Sequence, residues 1–155
     1  MKKIQILLSL ALCILFNHVA VAQQGLVIVE SAHDVKVTAD KLEGVLAEKG
    51  MKVFARIDHA AGAASIGDSI APTELVIFGN PKVGTGLIKC AQSSAIDLPM
   101  KALIWEDQNG QVWFGYNDAG YLASRHGMQA CENVASLLEK ISDALANFAI
   151  AATSQ

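Results

Sequence analysis

Apolar and polar positions in this chain fall into blocks of two different periods. Leu26-Val27-Ile28-Val29 is an unbroken apolar run of strand length. Val35, Ala39, Leu42 and Leu46 then recur at helical spacing on one stripe. Asp34 stands where the N-cap of that helix belongs, and Gly50 where a glycine ends one. Met51, Val53, Ala55 and Ile57 alternate with Lys52, Arg56 and Asp58, which predicts a half-buried second strand with Phe54 as an exception on its outer face. Ala60 to Ile66 is rich in small residues and predicts a short helix stopped by Gly67.

The centre of the chain, Pro72 to Asp107, holds two short apolar runs with marked ends. Gly79-Asn80-Pro81 closes Leu75–Phe78, and Asp97-Leu98-Pro99 precedes Ala102–Trp105. They predict strands over Glu74–Phe78 and Met100–Trp105. Between them, Thr85 is placed to cap a helix covering Leu87 to Gln92. Asp107-Gln108-Asn109-Gly110 contains Asn-Gly and predicts a hairpin into a strand over Gln111–Tyr116. A short helical turn follows, ending near His126-Gly127. Val134, Leu137, Leu138, Ile141, Leu145 and Phe148 then mark a long amphipathic helix, with Ala149 to Gln155 as a fraying tail. The order β-α-β-β-β-β-α argues an α+β fold, an antiparallel sheet with helices on one face.

Residues 1–22 carry a different message. Lys2-Lys3, the apolar run Ile4 to Phe16 and Ala20-Val21-Ala22 have the three parts of an export signal. The apolar run is shorter than the roughly 20 residues a spanning helix takes. The mature chain is therefore expected to be residues 23–155, one domain, periplasmic or secreted. It would hold 10 basic and 15 acidic residues and a net charge of −5. No basic block occurs, which argues against nucleic acid and anionic membranes as partners.

Cys13 would leave with the signal, and Cys90 and Cys131 remain. An even pair in an oxidising compartment invites a disulfide, while two buried thiols would pack as small apolar groups. Spacing alone decides between neither.

Two polar groupings carry the candidate chemistry. In a simple meander, Asp58, His59 and Glu74 gather at one end of the sheet, near Glu106-Asp107. Asn80, Asp97, Tyr116, Arg125 and His126 gather at the other, with Asp97 and Arg125 as charged partners. The second set would suit a small polar ligand, and equally the fastening of loops. Asp58 and His59 suit either acid/base work or a helix cap. His33, His59 and His126 show no metal-ligand spacing, so no metal site or cofactor is assigned. Gly84-Thr85-Gly86 hints at an anion nest but lacks the full phosphate-loop pattern. The G-x-S-x-G pattern of serine hydrolases is absent.

Several segments in order, FARIDH (54–59), PTELVIFGNP (72–81), IDLPMKALIWED (96–107), YND (116–118) and RHG (125–127), resemble domain-of-unknown-function family 302. The likeness spans roughly Ser31 to Leu145. It implies a β-α-β(4)-α fold similar to the TATA-binding-protein-like class, domains that pair as homodimers, and no established activity. Gly86 and Ala119 stand where the family tends to have proline. The favoured reading is an exported, non-enzymatic module that binds a ligand or another protein. The alternative is a small enzyme using His59 or His126 as acid/base. Intact-mass analysis of the exported protein should give a chain beginning at Gln23; a full-length mass in the membrane fraction would contradict export with cleavage.

Overall fold

The computed structural model describes residues 25–155. The export signal expected over residues 1–22, with its cleavage point, lies outside the described residues. Five strands form one sheet in the order β1-β5-β4-β3-β2, with every neighbouring pair antiparallel. They are β1 (Leu26–Ser31), β2 (Lys52–Asp58), β3 (Thr73–Gly79), β4 (Met100–Glu106) and β5 (Val112–Asn117). The last four make a meander, and β1 adds itself to the free edge of β5. The architecture is the expected α+β one.

Helices α1 (Val35–Glu48) and α5 (Val134–Thr153) pack on one face of that sheet. Val76, Phe78, Ala102, Ile104 and Phe114 are fully buried beneath them. The α1 stripe of Val35, Ala39, Leu42 and Leu46 is buried as its spacing requires. Full burial of each large side chain is worth roughly 2 kcal/mol. Phe78 meets Phe148 of α5 edge-on, with ring centroids 6.0 Å apart. Asp34 caps α1 by accepting from the Val37 amide at 2.7 Å, and Gly50 follows the helix with φ +65°. The β4–β5 turn is held by Asp107. Its carboxylate accepts from Trp113 Nε1 and from the amides of Asn109 and Gln111. These bonds, the one from Trp113 first, hold its pKa below the usual carboxylate value.

Three expectations need correction. Helix α3 runs Pro81–Cys90, starting earlier than the Thr85 cap would place it. Its cap is Asn80, whose side chain accepts from the Lys82 amide at 3.0 Å, and Pro81 sits in the first turn, where its missing N–H costs nothing. Phe54 owes its irregular position to a bulge: Val53 pairs with Phe78 and Ala55 with Ile77, leaving Phe54 as the extra residue. Ala149 to Thr153 do not fray. Ala149, Ala152 and Thr153 are buried, and the Thr153 carbonyl accepts from the Ala32 amide at 2.9 Å.

The shorter helices, α2 (His59–Ser65) and α4 (Ala119–Arg125), are about two turns each and are each capped by an aspartate. Two 3-10 turns, Gln92–Ile96 and Met128–Ala130, complete the chain. Cys90, the last residue of α3, is bonded to Cys131 just before α5, with sulfurs 1.98 Å and Cα atoms 5.8 Å apart. A chain beginning at Gln23, denatured without reductant, should take up no thiol reagent; modification of both sulfurs would rule the bridge out. With its ends 41 positions apart, the bridge should contribute about 4 kcal/mol by restricting the unfolded chain.

Candidate functional site

At the open end of the β3–β4 connection the structure brings three of the expected residues together. Arg125 Nη1 donates to Asp97 Oδ1 at 3.1 Å, and His126 Nε2 lies 2.6 Å from Asp97 Oδ2. A fourth member, Ser93, has its hydroxyl 3.0 Å from His126 Nδ1. The local folding explains this meeting. Asp118 caps α4 by accepting from the Tyr121 amide, so the helix delivers Arg125 and His126 at its end. Lys101 Nζ donates to the carbonyls of Asp97 and Pro99, bracing the same turn. Burial is the main cause that lowers the Lys101 pKa.

Asn80 and Tyr116 do not belong to this cluster. The Asn80 side chain is occupied with its own helix cap. Tyr116 is 7% exposed, faces the helices as part of the core, and meets Phe114 edge-on. Burial raises its phenol pKa. Strand alternation decides the matter: residue 116 falls on the helix side of β5, while the loop residues lie beyond the strand ends. Ser93 carried no signal in the sequence, because a serine in a short 3-10 turn looks like any loop residue.

The other expected grouping comes apart as well. Asp58 caps α2 by accepting from the Ala61 amide at 2.8 Å, and His59 is the exposed first residue of that helix. Glu74 points to the helix side, buried, and takes a hydrogen bond from Arg56 Nε. Arg56 also donates to Asp40 at 2.6 Å and Glu43 at 3.2 Å, so it pins α1 to β2 and β3. These bonds raise the already high Arg56 pKa, the one to Glu74 most of all. Among the described residues, no group of three or more His, Cys, Asp or Glu is placed to hold a metal ion. Gly84-Thr85-Gly86 lies inside α3, where the Gly84 amide already donates to the Asn80 carbonyl, so the three residues form no nest.

A cleft of about 400 Å³, not visible in the sequence, opens between α3, α5 and the adjoining end of the sheet. Phe78 and Met100 lie on the sheet side, Val83, Leu87 and Ile88 on α3, and Leu137, Ile141 and Phe148 on α5. Ala95, Leu98 and Pro99 close one side, and Phe54, the bulge residue, stands at the edge with 46% exposure. Its polar lining is limited to Asn80, Thr85 and Lys140. A volume in this range, apolar with few polar groups, suits a small-molecule site.

The two features are mechanically joined. Asp97 directly precedes Leu98 and Pro99, and Ser93 lies two residues before Ala95, all three being cleft residues. Tying Asp97 and Ser93 to α4 therefore fixes that wall.

The model of the domain of unknown function DUF302 matches residues 27–148. This chain belongs to the DUF302 family. A crystal structure of an uncharacterized conserved DUF302 protein from Bacillus stearothermophilus superposes with a TM-score of 0.71, covering 85% of this chain and 100% of that one. At 17% identity, that likeness speaks for the fold alone. Proteins named fluoride-specific ion channel FluC 1 from Brucella suis biovar 1 and Brucella abortus biovar 1 are 44% identical over 116 residues. The match takes in 75% of this chain but spans only 46% and 43% of those relatives. No helix of the described residues is long and apolar enough to cross a membrane.

In this DUF302 domain the two histidines separate cleanly. The His126 side chain is 6% exposed and bonded on both ring nitrogens, whereas His59 is exposed at a helix start. His126→Ala should lower stability by about 2 kcal/mol through the lost Asp97 contact. His59→Ala should change it by less than about 0.5 kcal/mol. Chemical denaturation of both variants checks this, and equal effects would contradict the fastening role.

Proposed function

We propose that this protein is an exported, non-enzymatic binding module whose ligand is a small, largely apolar molecule held in the cleft between α3 and α5. The observation that carries the reading is the cleft itself: about 400 Å³, walled by apolar side chains from two helices and the sheet. Burying apolar ligand surface there supplies the driving force, at roughly 25 cal/mol per Å² before the costs of association. Export rests on the pattern of residues 1–22. The channel activity in the Brucella names belongs to proteins of which this chain matches less than half, and it forms no part of the proposal.

A second reading has one specific observation behind it. Ser93, His126 and Asp97 form a hydrogen-bonded line with the connectivity of a hydrolytic triad. Three features weigh against catalysis there. Arg125 already neutralises Asp97, so less of its charge is left to stabilise an imidazolium. Ser93 is not among the residues lining the cleft, so its hydroxyl does not front that space. The line also uses every polar atom of the His126 ring to hold loops. Binding with loop fastening accounts for all of these contacts.

Titration with a neutral solvatochromic dye such as Nile red tests the binding reading. Saturable binding with a blue-shifted emission is expected for the native protein. Gly84→Leu should abolish it. Gly84 lines the cleft, a Cβ there meets nothing within 4 Å, and leucine is the better helix former by about 0.8 kcal/mol, so the variant folds. Absence of saturable binding, or binding untouched by Gly84→Leu, would contradict the proposal.

A further inference from the structure

The cleft has a charge asymmetry that narrows the ligand class. Among the described residues, Lys140 is the one charged side chain that lines it, and no acidic residue does. Lys140 lies on α5 one position before Ile141, a cleft residue buried to 8% exposure, and is itself exposed. Among the described residues no carboxylate lies within 4.0 Å of its ammonium. Across the mouth, Thr85 on α3 offers an exposed hydroxyl, and Lys82 is in the first turn of the same helix between two lining residues, Pro81 and Val83. The chain as a whole is acidic, with a formal net charge of −3, yet the charged side chain that lines the cleft is a lysine.

An apolar interior with a cation at its rim has a complementary shape in chemistry. That shape is a hydrocarbon tail ending in one anionic group. The tail replaces water against Phe78, Leu87, Ile141 and Phe148, while the head stays at the surface, where it keeps most of its hydration. A buried head would lose that hydration, and the cleft has no set of donors to replace it. A cationic head would meet Lys140 as a like charge.

We infer that the cleft takes a single-chain amphiphile with an anionic head, its tail between α3 and α5 and its head against Lys140. The inference rests on the binding reading above and adds to it the sign of the head group and the residue that meets it. A rim ion pair steers and orients more than it binds, so the expected effect on affinity is modest.

The test uses three ligands of equal chain length, decanoate, decanol and decyltrimethylammonium, kept below their micelle concentrations and measured by calorimetry at low salt. Decanoate should bind most tightly and decyltrimethylammonium least. Lys140→Gln should weaken decanoate about threefold to fivefold and leave decanol unchanged, while Lys140→Arg retains the native affinity. Added salt should weaken decanoate in the native protein and not in Lys140→Gln. Equal affinity for decanoate and decanol, or indifference of decanoate to Lys140→Gln, overturns the head-group assignment while leaving the cleft as a binding site. Failure of all three ligands to bind the native protein, or binding unaffected by Gly84→Leu, overturns the inference together with the reading beneath it.

Discussion

The position of α3 depends on two ties, and the cleft depends on α3. The covalent tie is Cys90–Cys131, which fixes the last residue of α3 beside the start of α5. The polar tie is Asp97, held by Arg125 and His126 at the end of α4. Together they bracket the segment from Cys90 to Asp97. Apolar surfaces left facing one another across water tend to close, because protein interiors pack without gaps larger than a water molecule. Helix α3, which follows directly on β3 at Gly79 and is bonded at Cys90, is held at both ends and cannot slide down onto the sheet to fill the space. The ties therefore do what packing alone would not: they keep opposed apolar walls apart.

The same ties explain why the polar residues that looked functional are mostly structural. Asp97 has its two oxygens engaged, one by a guanidinium and one by an imidazole, and both contacts tie its loop to the end of α4. Asn80 and Asp58 are caps, each accepting from an amide two or three residues on. Short polar residues beside strand ends serve this purpose whenever a helix begins there. Arg56 is the equivalent device between α1 and the sheet, gathering Asp40, Glu43 and Glu74 under one guanidinium. In each case the charge is spent within the fold, which leaves Lys140 as a charge facing the cleft.

Local signals made much of the fold legible in the sequence. The α1 stripe, the Asp34 cap, the Asn-Gly turn and the β-branched runs each report on residues within a few positions of one another. The order of β2 to β5 followed, because consecutive strands with short connections pair as a meander, while the place of β1 beside β5 did not. Asp97 with Arg125 was legible because a charge at a strand end needs a partner and few were in reach. What escaped was non-local. Phe54 broke the alternation, but a bulge is defined by the partner strand, Phe78 and Ile77 of β3. Tyr116 and Asn80 share a sheet end with Asp97, yet side-chain direction, set by strand pleat and helix cap, takes them elsewhere. The cleft was invisible for a simpler reason: Leu87, Ile141 and Phe148 at helical spacing read as core, whether they face another side chain or an empty space.

The central claim is that the working surface of this domain is the apolar cleft and not the polar cluster. Mapping amide chemical-shift changes during titration of the labelled protein with decanol, a neutral probe, tests it most directly. The account predicts perturbations confined to the cleft walls, at Val83, Leu87, Leu137, Ile141 and Ala144, with Asp58, His59 and Trp113 silent. Perturbations centred on Ser93, Arg125 and His126, or none at all at saturating probe, would contradict it.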